Sequence, residues 1–427
     1  MLTLTVFLIL LLAGLPVYAA ILCAALLFMV SGGQAVLVSS APLQLFNSLE
    51  TGSLLAIPLF VLVGEIMNKG GLTQRLIAVT ELFVGRLKGG LAYTNLATNA
   101  LAASILGSAV AQIGVMSRVM IPPMEKQGYD KAFASAVTVS GGLLGPIFPP
   151  SMLMIIYSVV AVQPIIPLFI AGVVPATLIF FGLCAVVFGF SLAGKHIPAA
   201  SVRAADGVPV RKILFDGLLP GMIPCVIIVG IAAGIMTPTE AGAVASLIAF
   251  VLCFAYREIR IRDLFDIFLS VCTLTATICG LIAAASLLSW ALTFQGVPDQ
   301  VVALITSLTD SPFWFMLAVA AVLIFLGMFL ESISALIVLV PILMPVVKQL
   351  GVDPVQFGVV CAIATAIGVL TPPVGPGLFV VMAQTRVKMS ALVKQLVPFL
   401  AVVLAVLVLL AAVPELSTWL PKLVLSK

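Results

Sequence analysis

The chain has 427 residues, of which 63% are hydrophobic and 8% charged, and its mean hydropathy is +1.31. A soluble domain carries about a quarter charged residues, so this chain cannot clothe itself in a polar surface; that excludes a soluble enzyme and a disordered protein, and a net charge of +4 implies no basic patch for nucleic acid. At about 20 apolar residues per crossing, the length allows roughly ten to fourteen spans of an all-α polytopic membrane protein.

In chain order, apolar spans are expected at 2–14 and 17–30, as two short helices or one kinked one. No basic residue precedes Lys69, so this start lacks the basic end of a signal peptide. The polar stretch 31–51 carries only Glu50, and a span follows at 52–68. Residues 69–88 are too polar to cross and read as an amphipathic helix along the interface. The apolar region 89–128 is interrupted at Gly107-Ser108, with Gln112 one turn on, and reads as a re-entrant helical hairpin. A broken helix is expected over 133–158, interrupted by Gly145-Pro146 and Pro149-Pro150-Ser151, and a span at 165–193. After the basic loop 194–216, spans are expected at 217–235, 240–256 and 267–293, then a second interfacial segment at 295–311. A second hairpin covers 312–350, interrupted at Gly327 and Glu331-Ser332-Ile333-Ser334. A second broken helix covers 355–385, interrupted from Gly368 to Thr371-Pro372-Pro373-Val374-Gly375, and a last span lies at 396–414.

Basic residues of short loops stay on the cytoplasmic side. Lys195, Arg203, Arg211 and Lys212 mark 194–216 as internal, as do Arg257, Arg260 and Arg262 and then Arg386, Lys388 and Lys394 for the stretches after 256 and 385. The stretches 31–51 and 295–311 carry acids and no base, and read as external. Counting back from 194–216 places Arg86, Lys88, Lys126 and Lys131 inside, provided that 89–125 re-enters.

A shift of 223 residues aligns the punctuation without a gap. Pro122 falls on Pro345, Gly128 on Gly351, Asp130 on Asp353, Gly145 on Gly368, Pro149-Pro150 on Pro372-Pro373, and Pro175 on Pro398. The chain therefore divides into repeat 1 (1–193), a cytoplasmic linker (194–216), repeat 2 (217–415) and a tail (416–427). Five crossings and one hairpin per half would invert the second copy, the architecture of secondary transporters.

The chemistry is expected at the interruptions. Paired prolines remove backbone donors and break a helix, and at membrane depth such backbone is tolerated only inside protein or along a wet cavity. Freed carbonyls can ligate a small cation, and the helix start that follows can face an anion. The alternative is a kinked packing helix, and small residues at the hairpin turns also permit close helix packing. Glu331 either caps a helix or faces a cation. Glu65 suggests an ion pair with Lys69 or a hydrated site, Glu240 a helix start with Thr237 or Thr239 as cap, and Arg118 either a reach to inner water or an anion contact. Trp290 and Trp314 read as interfacial anchors. Seven cysteines lie in apolar stretches without a CxxC pair, as buried free thiols, and His196 is the single histidine. There is no HExxH, no GxGD and no His-bearing span, so an intramembrane enzyme is disfavoured.

Taken together, Ala56-Ile57-Pro58-Leu59-Phe60 with Gly64-Glu65, Gly89-Gly90-Leu91-Ala92, Gly107-Ser108-Ala109, Gly128-Tyr129-Asp130, Gly145-Pro146, Thr237-Pro238-Thr239-Glu240-Ala241, Gly327-Met328-Phe329, Pro341-Ile342-Leu343-Met344-Pro345, Phe357-Gly358-Val359 and Thr371-Pro372-Pro373-Val374-Gly375 resemble the large membrane subunit of the TRAP (tripartite ATP-independent periplasmic) transporters, nearly end to end. The resemblance implies an elevator-type fold and Na⁺-driven import of an organic anion such as a carboxylate, with no other cofactor. It also implies a periplasmic substrate-binding protein, a small four-span membrane subunit and a place in the bacterial inner membrane. One Na⁺ site would use Gly107, Ser108 and Gly145, and the other Gly327, Gly368 and Thr371. The anion would lie between the tips near Ser151, Pro373 and Gly375. The family often has Asp where Gln112 and Glu331 stand and Asn where Ala364 stands. The nearest rival is a stand-alone Na⁺/carboxylate symporter of the same fold without a binding protein.

Overall fold

The computed structural model describes residues 2–32, 35–84, 89–194 and 210–425. Arg86, Lys88, Lys195, His196 and Arg203 therefore lie outside the described residues. Among the described residues there are twenty α-helices and no strand.

The first half holds α1 (Leu2–Leu12), α2 (Val17–Ser31), α3 (Ala41–Asn47), α4 (Ala56–Lys69) and α5 (Leu72–Val84). It continues with α6 (Gly90–Leu106), α7 (Ala109–Lys126), α8 (Lys131–Gly142), α9 (Met152–Val160) and α10 (Ile165–Leu192). The second half holds α11 (Val210–Ala232), α12 (Pro238–Ala255), α13 (Asp263–Phe294), α14 (Val297–Leu308) and α15 (Pro312–Gly327). Then come α16 (Ser332–Gln349), α17 (Pro354–Val369), α18 (Pro376–Thr385), α19 (Met389–Ala412) and α20 (Glu415–Leu425). Residues 2–30 form two helices, not one kinked helix. Three differences from the sequence reading are local. Short helices fill part of the loop 31–51, α11 begins at Val210 inside the expected linker, and the tail is the helix α20, which packs on α10. The apolar residues of 416–425 allow that last helix, which continues through Pro421.

Six of these helices are individually long and apolar enough to cross a membrane: α10, Ile213–Ala232 of α11, α12, α13, α16 and α19. Large side chains such as Phe181, Phe188, Leu247 and Phe265 stand exposed on the outer surface, as lipid-facing residues would.

The punctuation recognised in the sequence has physical work in the fold. Gly128 and Gly351 take left-handed φ values of 88° and 65°, which a side chain would resist. Two residues on, Asp130 and Asp353 cap α8 and α17, accepting from Phe133 N at 2.9 Å and from Val355 N at 2.8 Å. Thr237 caps α12 in a reciprocal capping box with Glu240, so the structure selects Thr237 over Thr239. The prolyl bonds Pro149–Pro150 and Pro372–Pro373 are both cis.

Helices related by the 223-residue offset pack on one another's neighbours. α7 lies against α18 while α16 lies against α9; α2 lies against α13 while α12 lies against α4; α8 lies against α19 while α17 lies against α10. Phe133 on α8 sits within 5.1 Å of Phe190 on α10 and 6.4 Å of Phe399 on α19, ring centre to ring centre. Each half thus completes the burial of the other.

A charged node fastens α5 to the second half. Arg75 reaches Glu258 at 2.7 Å and Asp216 on α11 at 3.5 Å, and its guanidinium lies 3.9 Å from the ring centre of Tyr256. The Tyr256 hydroxyl in turn donates to the Asp216 carbonyl at 3.3 Å. The expected Glu65–Lys69 pair is not formed, whereas Lys131 pairs with Glu125 at 3.3 Å. A planar guanidinium can stack and fork at once where an ammonium cannot. Arg75→Lys is therefore expected to lower stability by about 1 kcal/mol, read as a reduced melting midpoint of the detergent-purified chain.

Candidate functional site

The first hairpin is a two-residue turn. Gly107 ends α6 in a left-handed conformation with φ 61°, and Ser108 starts α7, its hydroxyl accepting from Ala111 N at 3.5 Å. The turn rests on the start of α9: a methyl on Gly107 would meet Met152 Cβ at 3.0 Å and Met152 N at 3.1 Å. Between α8 and α9 the chain is irregular and closely packed, with Gly145, Pro149 and Pro150 buried. Ser151 is fully buried, caps α9 through Met154 N, and donates its hydroxyl to the Pro146 carbonyl at 2.5 Å. That hydroxyl therefore holds the break together.

Gly145 lies directly beside the first turn. A methyl there would fall 2.7 Å from Gln112 Oε1, 3.3 Å from the Gly142 carbonyl oxygen and 3.5 Å from the Ser108 carbonyl carbon. The structure thus brings together Gly107, Ser108 and Gly145, as the sequence expected, and adds Gln112. The Gln112 side chain is fully buried and its Oε1 has no hydrogen-bond partner.

In the second half, Gly327 is helical and occupies the last position of α15, not the turn itself. Its role is close approach. A methyl on Gly327 would lie 3.0 Å from Gly368 Cα and 3.0 Å from the Thr365 carbonyl oxygen; one on Gly368 would lie 2.6 Å from the Ile324 carbonyl oxygen. Thr371 donates to the Ile367 carbonyl at 2.7 Å. Gly375, with φ 51°, donates its N–H to the Met328 carbonyl at 3.1 Å, which pins the second break to the second turn. Gly327, Gly368 and Thr371 are therefore neighbours, with carbonyl oxygens turned toward the contact. Pro373 is exposed.

The two turns meet. A small cleft with a cavity volume of about 10 Å³ is lined by Gly107 and Ser108 of the first turn, Pro146 of the first break, Leu153 of α9, and Glu331 and Ser332 of the second turn. Glu331 stands at the start of α16 without capping it through its side chain, so the capping alternative is not realised. Neither Ser151 nor Pro373 lines this cleft. Arg118 is exposed, its Nε donating to the Gly114 carbonyl at 3.1 Å. No group of three or more His, Cys, Asp or Glu capable of holding a metal occurs among the described residues.

The sequence reading passed over one polar feature. Thr94, Asn95, Thr98 and Asn99 form a fully buried stripe on α6, and Asn95 donates to Thr138 on α8 at 2.7 Å. Polar residues repeating at four-residue intervals in an apolar helix were the available signal, since buried amides at membrane depth require partners.

Gly368→Ala is expected to destabilise the fold by about 1–3 kcal/mol through overpacking, because the added methyl meets backbone that cannot swing aside. The melting midpoint in Na⁺-free buffer checks this and separates it from any effect on a ligand.

Residues 4–416 match the family model described as the tripartite ATP-independent periplasmic transporter, DctM component. The chain is 35% identical over 387 residues to the C4-dicarboxylate TRAP transporter large permease protein DctM of Pseudomonas aeruginosa, covering 90% of each chain. It is 32% identical over 422 residues to the sialic acid TRAP transporter large permease protein SiaM of Vibrio cholerae, covering 98% of this chain and 97% of that one. In fold it is similar to the YdaH transporter of Alcanivorax borkumensis, with a TM-score of 0.64 at 13% identity over 89% of this chain and 88% of that one. The chain is a multi-pass membrane transporter subunit, not an enzyme, and belongs to the DctM component family of tripartite ATP-independent periplasmic transporters.

Proposed function

We propose that this chain is the large permease subunit of a Na⁺-coupled importer of an organic acid in the bacterial inner membrane. A periplasmic binding protein delivers the substrate, and a small membrane subunit completes the permease. The tripartite family name and the organic-acid relatives support the partners and the substrate class. The observation that carries the coupling is the cleft at which both hairpin turns and the first break converge. Gly107, Ser108 and Ser332 there carry backbone oxygens and hydroxyls of the kind that suit a hard cation, and the start of α9 beside them has the positive end that suits an anion.

The reciprocal packing of the two halves supports an elevator mechanism. The two halves are inverted repeats whose hairpins re-enter the membrane. Hairpins α6–α7 and α15–α16, with the broken pairs α8–α9 and α17–α18, form a transport unit. The helices α1–α5 and α11–α14 form the scaffold against which it slides, in an elevator movement. One Na⁺ binds at Gly107, Ser108 and Gly145, and another at Gly327, Gly368 and Thr371. The anion occupies the space between the turns, reaching toward Ser151, Pro373 and Gly375 as the unit opens.

Uptake of a labelled organic acid into proteoliposomes, with the small subunit and loaded binding protein present, is expected to require an inward Na⁺ gradient. Ser108→Ala combined with Thr371→Ala should raise the Na⁺ concentration for half-maximal uptake several-fold. An unchanged Na⁺ dependence would show that the sites are misplaced, and full uptake without the binding protein would favour the stand-alone symporter.

A further inference from the structure

A directed chain of amides ends at Gln112. The Thr138 hydroxyl donates to the Ala134 carbonyl at 2.8 Å, so its oxygen is left to accept, and Asn95 Nδ2 donates to it at 2.7 Å. Asn95 Nδ2 also lies 3.4 Å from Met124 Sδ. With its nitrogen committed, Asn95 presents Oδ1 to Asn99. Asn99 Nδ2 donates to that oxygen at 2.7 Å and to the Asn95 carbonyl at 2.9 Å. Asn99 in turn presents Oδ1 to Gln112. Gln112 Nε2 donates to Asn99 Oδ1 at 2.9 Å, to the Asn99 carbonyl at 2.7 Å and, more weakly, to the Gly141 carbonyl at 3.5 Å. Asn95, Asn99, Gln112 and Thr138 are all completely buried.

The direction of this chain settles which end of the Gln112 amide faces the first turn. Reversing the amide would set its oxygen against two acceptors of Asn99, and each reversed partner would pass the conflict back to Thr138. The terminus is therefore an oxygen. It is left without a partner, and it points at the concave backbone of Gly145 beside the Gly142 carbonyl. A buried acceptor without a donor is costly, and a small cation among neutral oxygens removes that cost.

We infer that Gln112 Oε1 is a ligand of the cation at the first turn, and that Asn99 and Asn95 are positioning residues that hold the oxygen, not the nitrogen, toward it. This rests on the Na⁺ reading above and deepens it. On this side of the first turn a monovalent cation meets neutral oxygens, and the oxygen of Gln112 is aimed by a hydrogen-bond chain on α6 and α8 that touches neither the ion nor the substrate. Asn99 acts through its acceptor, so a residue that keeps the acceptor keeps the site.

The test is a Na⁺ titration of the purified full-length chain at constant ionic strength, with choline as the replacing cation and the melting midpoint as readout. Gln112→Met is expected to weaken the apparent Na⁺ affinity at least ten-fold. Asn99→Leu should weaken it about five-fold by releasing one hold on the amide. Asn99→Asp, as the neutral acid it must be when facing the two acceptors of Asn95, donates its proton to Asn95, still accepts from Gln112 Nε2 and should remain within two-fold of the parent. A merely structural role would make Asn99→Asp as damaging as Asn99→Leu, and that result overturns the inference. Unchanged Na⁺ affinity in Gln112→Met overturns it as well. If Gln112→Met does not fold, Gln112→Asn shortens the reach by one methylene and reads the same point, with at least a five-fold loss expected and no loss overturning the inference. A parent chain whose midpoint ignores Na⁺ altogether removes the Na⁺ reading itself. A parent that responds while the Gln112 variants respond equally leaves that reading standing and removes only the ligand.

Discussion

Backbone polar groups cannot be left bare in an apolar medium, and that constraint organises this molecule. Two segments of each half give up helical hydrogen bonding: the turn of a hairpin and the break of a helix. Irregular backbone at depth is admissible only where protein or a wet cavity surrounds it. The fold meets the requirement by placing each irregular segment against another. The turn Gly107-Ser108 lies on the start of α9 and beside Gly145, and the second turn is bonded through Met328 to Gly375. The same oxygens that helices cannot use become the oxygens available to an ion.

Close approach is what makes this possible, and it depends on residues without side chains. Gly327 against Gly368 and Gly107 against Met152 allow backbone to touch backbone. The larger packing then follows from exchange between the halves. α7 needs α18 and α16 needs α9, so neither half can bury its own broken helix alone. Such an arrangement keeps turns and breaks together as one body while peripheral pairs, such as α2 with α13 and α4 with α12, form another interlocked set. The Arg75 node belongs to that second set, where an ion pair with a stacked ring fixes α5 to α11 and to the loop after α12.

The parts of this design that were legible in the sequence are those written in backbone chemistry. Paired prolines, the Gly-X-Asp turn before α8 and α17, and Gly107-Ser108 each force a conformation whatever their neighbours do, so hairpins and breaks could be located from residue type alone. What a side chain faces is not written locally. Gly327 interrupts the apolar run as a turn glycine would, yet it lies in a helix and serves contact with Gly368. Glu65 stands four residues before Lys69, a helical spacing that permits an ion pair, but no such pair forms. The stripe Thr94-Asn95-Thr98-Asn99 was visible as composition; its meaning depends on α8 passing within reach of α6, which only the tertiary fold decides.

Low charge and the proposed cation site are compatible for a specific reason. A carboxylate at position 112 would attract a cation strongly, at the expense of burying a charge whenever the site empties. An amide avoids that expense, but it offers an oxygen on one side and a nitrogen on the other, and a free amide could turn either way. Charge would have fixed the polarity of the site by itself; without it, polarity has to come from direction. The chain from Thr138 through Asn95 and Asn99 supplies that direction, each group donating toward the previous one, until the last oxygen has only Gly145 before it. Four neutral residues thus supply the direction that one acid would otherwise supply, without adding a charge at position 112.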